Sequence, residues 1–365
     1  MKYIISGGGT GGHIFPAIAI ANGISKRFPD AEILFVGAQG RMEMRKVPAA
    51  GYNIEGLPVA GFDRKNLLRN ISVLAKLCRS LFLAWKIIRN FKPDVVIGVG
   101  GYASGPILKA ANRMKIPTVL QEQNSYAGVT NKLLAKNATR ICVAYEGMDQ
   151  FFPAEKIVLT GNPVRKDLHA AHEKRTEAIA YFKLNPAKKT VLVLGGSLGA
   201  RTINQSMMRY LDEIAAKQVQ FIWQTGEYYY REALASIRER VNLPVYMTDF
   251  ISRMDMAYAV ADLIVSRAGA GTISELCIVG KPVILVPSPN VAENHQMKNA
   301  CALVEKDAAV LLADAEAPEQ LIPAIFQLIE DENRMKELGE NILKMALPDA
   351  TDRIVDEIIK IAQKQ

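Results

Sequence analysis

YIISGGGTGGHIFPAIAIANGISKR, residues 3–27, makes three structural statements in order. Tyr3 to Ser6 form a short apolar run with strand character. The glycines from Gly7 to Gly12 suit neither helix nor strand. From His13 onward the apolar residues recur at helical spacing. Strand, glycine turn and helix together open a Rossmann-like unit, in which backbone N–H groups and the positive end of the helix dipole converge and attract phosphate. The order repeats: TVLVLGGSLGAR at 190–201 runs into TINQSMMRYLDEI at 202–214. Two such openings predict an α/β protein of two Rossmann-like, doubly wound domains facing a cleft.

Between and after these openings come EILFVG (32–37), DVVIGV (94–99), TVLQEQ (118–123), RICVAY (140–145), QFIWQTG (220–226), PVYMTDF (244–250), DLIVSR (262–267) and PVILVP (282–287). Continuous apolar strands separated by helical patterns indicate parallel sheets covered on both faces. A chain of 365 residues suits two domains. The reading places an N-terminal domain at 1–161 and a C-terminal one at 162–347. The last helical segment, 348–365 beginning at Pro348, is expected to pack back on the first domain.

Cys78, Cys142, Cys277 and Cys301 lie far apart without a CxxC pair, so neither a disulfide framework nor a zinc site is expected, and a reducing cytoplasm fits. Residues 3–25 are uncharged with His13 neutral and long enough to span a bilayer. Gly7, Gly8, Gly9, Gly11, Gly12, Gly23 and Pro16 argue against a membrane helix or a signal segment. The net charge of +8 is uneven: residues 1–160 hold 21 Lys/Arg against 10 Asp/Glu, the remainder 24 against 27. Within the basic half, 64–92 carries eight cations and no acid.

Gly7, Gly9 and Gly12 satisfy GxGxxG, but a dinucleotide site would place an acid about 20 residues on, at the end of the second strand. That strand ends Phe35-Val36-Gly37-Ala38-Gln39, and Asp30 and Glu32 precede it. NAD is therefore disfavoured, and no Walker lysine follows the glycines. A third glycine loop, GGYASGP at 100–106, joins those at 7–13 and 195–201. Three such loops point to phosphate-bearing ligands rather than bare turns.

GGGTGGHIFPA (7–17), GGYASGP (100–106), QEQNSYAG (121–128), GNPVR (161–165), GGSLGAR (195–201), TDFI (248–251), SRAGAGTISEL (266–276) and HQMKNA (295–300) follow one another in an order that resembles the MurG family. These are inverting N-acetylglucosaminyltransferases of the GT-B type that act in peptidoglycan synthesis. The resemblance implies transfer of GlcNAc from UDP-GlcNAc to the C4 hydroxyl of the muramyl sugar of lipid I, giving lipid II, on the cytoplasmic face of the bacterial inner membrane. It also implies a set of residue roles. Glu275 would accept from the ribose hydroxyls, Ser197 and its loop amides would hold the diphosphate, and Arg165 would add a fixed cation. Ile251 would meet uracil through its backbone, and Ala270, Gly271, Thr272, Ile273 and Ser274 would form the loop beneath the nucleotide. Gln296 would touch the GlcNAc hydroxyls, with Asn299 a further candidate. Thr10, Gly11, Gly12 and Asn124 complete the donor contacts. Gly9, Gly100, Gly101, Tyr102 and Ser104 would form the acceptor-diphosphate loops.

Displacement at the anomeric carbon needs a base on the attacking hydroxyl. His13, where the first loop enters its helix, is the first candidate because its ordinary pKa suits the task. Glu122 competes with it. His169 and His172 lie in a charged run, and His295 could touch donor or be structural. No HExxH, compact ligand cluster or DxD appears, so no metal or cofactor is expected. Helix ends and Arg165 would stabilise the departing diphosphate.

Residues 64–92 place Arg69, Lys76, Arg79, Lys86 and Arg89 at spacings of 7, 3, 7 and 3, beside Ile71, Leu74, Phe82 and Trp85. A basic amphipathic helix bearing tryptophan suits an anionic membrane surface. Alternatively its apolar residues cover the sheet and its cations are merely solvated. Two other functions stand beside the transferase: a different GT-B enzyme or UDP-sugar 2-epimerase, and a nucleic-acid binder. The last leaves the phosphate loops and Glu275 unexplained and shows no RRM, helix-turn-helix or zinc-finger signature.

Overall fold

The structure is a computed structural model that describes residues 1–60, 69–165, 168, 171–196, 198–238, 240 and 242–363; side chains at 69–71, 171, 172 and 292 are outside that description. The chain divides into two compact units, Met1–Val164 with Asp349–Gln365, and Arg165–Pro348.

In the first unit the described strands are β1 (Lys2–Ser6), β2 (Glu32–Ala38), β3 (Asn53–Leu57), β4 (Val95–Gly98), β5 (Thr118–Glu122), β6 (Arg140–Val143) and β7 (Ile157–Leu159). They form one sheet in the order β3-β2-β1-β4-β5-β6-β7. All pairings are parallel, with Ile4 beside Leu34 and Val96. The connecting helices are α1 (Gly11–Arg27), α2 (Glu43–Ala49), α3 (Arg69–Phe91), α4 (Ser104–Arg113) and α5 (Val129–Ala135). Strand residues are buried on both faces. Ile4 packs with Ile87, Ile88, Ile107 and Leu108 on one side, while Tyr3 and Ile5 meet Ile14, Ile20 and Ile24 of α1 on the other.

The second unit repeats the plan. Its strands β8 (Lys189–Leu194), β9 (Val219–Gln224), β10 (Val245–Thr248), β11 (Leu263–Ser266), β12 (Val283–Leu285) and β13 (Val310–Leu311) lie in the order β10-β9-β8-β11-β12-β13. Its helices are α6 (Arg175–Phe182), α7 (Arg201–Arg209), α8 (Leu211–Ala216), α9 (Tyr230–Ile237), α10 (Met254–Val260), α11 (Ala270–Val279), α12 (His295–Val304), α13 (Ala317–Glu330) and α14 (Glu332–Lys344). The buried Trp223 on β9 donates its indole N–H to Asn204 Oδ1 at 2.9 Å, so the largest core side chain of this unit carries no unmet donor.

The chain then returns to the first unit as α15 (Ala350–Ala362), which lies on α1. Ile354, Val355 and Ile358 are fully buried there, each contributing about 1.5–3 kcal/mol. Gly23 of α1 permits the approach: a Cβ on it would fall 2.9 Å from Thr351 Cγ2. Arg27 pairs with Asp352 and Asp356 at the rim.

β3, β7 and β13 were not anticipated from the sequence. β3 is an edge strand with a half-exposed pattern and a glycine, and β7 and β13 are three and two residues long. None carries the continuous apolar run of a central parallel strand.

The basic helix α3 covers the sheet with Ala84, Ile87 and Ile88. Leu74, Phe82 and Trp85 are 56%, 63% and 40% exposed, and Lys76, Arg79, Lys86 and Arg89 face solvent with them. Phe82 stacks beside Trp85 at 6.4 Å, and the Arg89 guanidinium lies 5.1 Å over the indole. Arg69 and Ile71 belong to this helix, but their side chains are outside the described structure. Among the described residues no helix is long and apolar enough to cross a membrane.

Candidate active site

In a parallel sheet with this winding, the loops leaving β1 and β4 turn to opposite faces and leave a crevice at the carboxyl ends of the strands. The first and third glycine motifs occupy those two loops. They are locked together: the buried Ser104 hydroxyl lies 2.9 Å from both the Ser6 and the Gly100 carbonyl and donates between them. A Cβ on Gly101 would lie 2.5 Å from the Gly8 carbonyl oxygen.

His13 stands in the first turn of α1. Its Nδ1 is 3.1 Å from the Gly8 carbonyl oxygen and 3.3 Å from Thr10 Oγ1. A carbonyl only accepts, so this pattern assigns the proton to Nδ1 and makes Nε2 the basic nitrogen. The ring lies against Gly100, where a Cβ would come 2.8 Å from Nε2. The first helical bonds run to the Thr10 carbonyl from His13 and Ile14, so α1 itself does not use the amides of Gly11 and Gly12.

Two of the expected ligand-loop residues in this unit are bonded within the fold. The Gly9 amide is not aimed at a phosphate: it donates to Glu43 Oε2 at 3.0 Å. Glu43, on α2, is fully buried, and its Oε1 takes the Ala38 amide at 2.9 Å. A carboxylate so placed would repel an anion at Gly9. Ser104 is likewise spent on backbone carbonyls. Tyr102 is 60% exposed, whereas Gly100 is buried against the His13 ring and Gly101 is half-buried against the Gly8 carbonyl.

Glu122, 2% exposed, organises its own loop. Oε1 accepts from the Asn124 amide at 3.1 Å and its side chain at 3.2 Å; Oε2 accepts from the Gly128 amide at 3.0 Å and from Asn131 at 2.8 Å. Four donors match an ionised carboxylate's four lone-pair sites and leave none for a substrate hydroxyl. Beside it Gln121, Gln123 and Asn162 form a buried amide network that ties the end of β5 to the GNPVR segment.

In the second unit the equivalent crevice lies between the loops after β8 and β11. Gly195, Gly199 and Gly226 bring the β8 and β9 loops into backbone contact, where a Cβ on Gly226 would overlap the Gly199 amide. Ser197 lies outside the described residues. α11 begins at Ala270, and its first helical bond runs from Ile273 to the Gly269 carbonyl, so the helix does not use the amides of Ala270, Gly271 and Thr272. No acid sits in that first turn, and the space where a Gly271 Cβ would project is open. The Ile273 side chain is 1% exposed and its amide belongs to the helix. The Ser274 hydroxyl donates to the Ala270 carbonyl at 3.1 Å.

Glu275 presents a half-exposed carboxylate held from two sides. Oε1 accepts from Arg165 Nε at 3.2 Å and Oε2 from the Tyr258 hydroxyl at 3.1 Å. Arg165 is thus paired with the presumptive ribose acceptor rather than placed on a phosphate loop. Tyr258 is buried, and burial and the neighbouring Glu275 push its phenol well above its ordinary value, so it stays a donor to the carboxylate. Cys277, two residues on, is pushed up to about 12 by burial and stays a thiol.

Ile251 is buried as a side chain, leaving only its backbone to meet a ligand. Gln296 accepts the Ser288 amide at 2.8 Å with its carbonyl oxygen, so any sugar contact falls to its NH2. The buried Asn299 donates to the Ala268 carbonyl at 3.4 Å, supporting the β11 loop rather than reaching outward. Sequence reasoning missed Glu43, Tyr258 and Arg267. Arg267 lies within the SRAGAG motif and braces the Val286 carbonyl, Thr202 and Asp314. Among the described residues no group of three or more His, Cys, Asp or Glu side chains is placed to hold a metal ion.

The glycosyltransferase family 28 N-terminal domain matches residues 3–143, and the family's C-terminal domain matches 190–354. A relative from Parabacteroides distasonis, a UDP-N-acetylglucosamine–N-acetylmuramyl-(pentapeptide) pyrophosphoryl-undecaprenol N-acetylglucosamine transferase, is 62% identical over 364 residues, 100% of this chain and 99% of its own length. A crystal structure of MurG from Acinetobacter baumannii superposes with a TM-score of 0.82 at 28% identity, covering 98% of this chain and 99% of that one. UDP-GlcNAc 2-epimerase from Neisseria meningitidis, at TM-score 0.67 and 17% identity over 99% and 100% of the two chains, shares the fold alone.

Proposed function

The chain belongs to glycosyltransferase family 28 and, within it, to the MurG family, and from that premise we propose which of its residues carry the reaction. It is an N-acetylglucosaminyltransferase: GlcNAc passes from UDP-GlcNAc to lipid I, undecaprenyl-pyrophosphoryl-MurNAc-pentapeptide, and lipid II results.

The C4 hydroxyl of the muramyl sugar attacks the anomeric carbon, and UDP leaves from the opposite face with inversion. His13 Nε2 takes the hydroxyl proton. Its Nδ1 faces the Gly8 carbonyl, which favours a proton on Nδ1 and basicity at Nε2, whereas the carboxylate of Glu122 is matched by four donors of its own loop. Glu122 therefore shapes the QEQN loop and presents Asn124. On the donor side Glu275, held by Arg165, accepts from the ribose diol, and the first-turn amides of α11 face the diphosphate. Gln296 offers its NH2 to the sugar.

Lipid I is anchored in a bilayer, and α3 offers the means to meet it: an exposed Phe82–Trp85 pair set among cations. The first unit carries 24 Lys/Arg against 14 Asp/Glu and the second 21 against 23, so the whole positive excess belongs to the unit bearing that helix. We assign the excess to an anionic membrane on its cytoplasmic face, not to nucleic acid.

The observation that carries the assignment of the base is the 3.1 Å contact of His13 Nδ1 with the Gly8 carbonyl. His13→Ala should lower kcat by about 10²–10⁴-fold while the UDP-GlcNAc KM changes little. Near-normal turnover in that variant would remove His13 from the mechanism.

A further inference from the structure

The Gly8–Gly9 peptide is bonded at both ends by side chains. Its carbonyl faces His13 Nδ1 at 3.1 Å, and its N–H points to Glu43 Oε2 at 3.0 Å. A carboxylate, a peptide unit and an imidazole therefore stand in one hydrogen-bonded row. We propose that Glu43 is a positioning residue for the catalytic base, acting on His13 through the Gly8–Gly9 peptide; this rests on the reading of His13 as the base.

Burying a carboxylate costs several kcal/mol unless its lone pairs are met. Glu43 is 0% exposed, and its partners are two backbone amides, those of Gly9 and Ala38. Both of its oxygens therefore act as acceptors, Oε2 toward Gly9 and Oε1 toward Ala38. Gly8 makes the room, because a Cβ there would lie 2.1 Å from Oε1 and 2.3 Å from Cδ. Hydrogen bonds in series polarise one another. The negative charge on the N–H side of the peptide makes the Gly8 carbonyl a stronger acceptor for Nδ1–H.

Two consequences follow for the imidazole. The ring is held in the Nδ1–H tautomer, with Nε2 as the base. If the proton sat on Nε2 instead, the Nδ1 lone pair would face a polarised carbonyl oxygen at 3.1 Å. When Nε2 takes the substrate proton, the positive charge that develops is shared with Nδ1–H, and the row favours the imidazolium over the neutral ring. A carboxylate bonded directly to a histidine does this in serine hydrolases; here a peptide is interposed.

The test combines histidine 15N NMR of the full-length protein with kinetics, the His13 signal being assigned by its loss in His13→Ala. The wild type is expected to show the Nδ1–H tautomer, and Glu43→Gln a mixture. Glu43→Gln should lower kcat about 10-fold or more with the UDP-GlcNAc KM within about threefold, and should cost nothing further in a His13→Ala background. An Nε2–H tautomer in the wild type overturns the proposal, as does a Glu43→Gln loss that adds in full to that of His13→Ala, which is the mark of a merely structural carboxylate. If His13→Ala itself turns over normally, the reading of the base fails. If His13→Ala is inactive while Glu43→Gln matches wild type, only the role of Glu43 fails. Should Glu43→Gln not fold, Gly8→Ala, which displaces the carboxylate, must reproduce the tautomer mixture and the kcat loss, and unchanged behaviour in it refutes the relay.

Discussion

Glu275→Gln isolates the ribose contact. An ionised carboxylate has about four lone-pair sites. Arg165 Nε bonds Oε1 and the Tyr258 hydroxyl bonds Oε2, and on the proposed reading a vicinal diol adds one bond to each oxygen. In glutamine the remaining oxygen must face Arg165, because an NH2 there would oppose the guanidinium N–H. The NH2 then turns to Tyr258 and can no longer accept from the ribose. One charge-assisted hydrogen bond is lost and the other becomes neutral. Since each such bond is worth ~1.5–3 kcal/mol, the dissociation constant should rise about 10- to 100-fold. Calorimetric titration with UDP and, separately, with UMP measures this, because both ligands keep the ribose and only one carries the β-phosphate. The two losses should be equal. A dissociation constant within about threefold of wild type would remove Glu275 from nucleotide binding, and a loss confined to UDP would assign its effect to the phosphates through Arg165.

Replacing Lys76, Arg79 and Lys86 together by Glu should reduce partitioning to anionic vesicles at low salt by about 100-fold or more, since each cation near such a surface contributes ~1 kcal/mol; unchanged cosedimentation would sink the electrostatic reading of α3. In the second unit the Arg253 guanidinium first, and the Lys174 ammonium after it, hold the buried Asp255 carboxylate far below its ordinary 3.8. A depressed folded-state value stabilises fully above the unfolded value and is lost as pH falls through the folded one, so Asp255→Asn should lower the melting temperature at pH 7 and the gap should narrow below about pH 4. A gap constant from pH 7 to 2 would show that the ion pairs contribute nothing.

What could be read in the chain follows from where each signal lives. Central strands such as YIIS and TVLVL announce themselves because both their faces are buried. β3 does not, because NIEGL at a sheet edge alternates half-exposed positions and includes Gly56. Glu275 could be named from its motif, but Tyr258 could not. Its hydroxyl reaches Oε2 from α10, 17 residues earlier, and nothing in MDMAYAV distinguishes a tyrosine that orients a carboxylate from one that fills a core. Glu43 was silent for the same reason: in RMEMRKVP it resembles any first-turn acid of a surface helix, and only the fold carries α2 beneath the glycine loop and buries it. Ser104 and Ile273 raise a different point. Both lie inside motifs that mark a ligand loop, and membership of a motif does not say which of its members face the ligand.

That distinction bears on what the glycines of the first unit are for. GGGTGG invites a phosphate reading because it matches the pattern of loops whose amides cradle anions. Here Gly8 is bare so that the Glu43 carboxyl can approach, and Gly100 is bare so that the His13 ring can lie against it. Both absences make space for a side chain rather than for a ligand. With the Gly9 amide turned to a buried negative charge, an anion is favoured only further along the turn, at Gly11 and Gly12, where α1 begins and its amides remain outside the helical ladder. On the proposed reading one loop separates two opposite electrostatic tasks over four residues: a negative group behind the peptide to sustain a base, and a positive helix end ahead of it to receive a phosphate. Glycine suits the stretch because it admits a carboxylate on one side of the backbone while leaving the amides on the other uncovered.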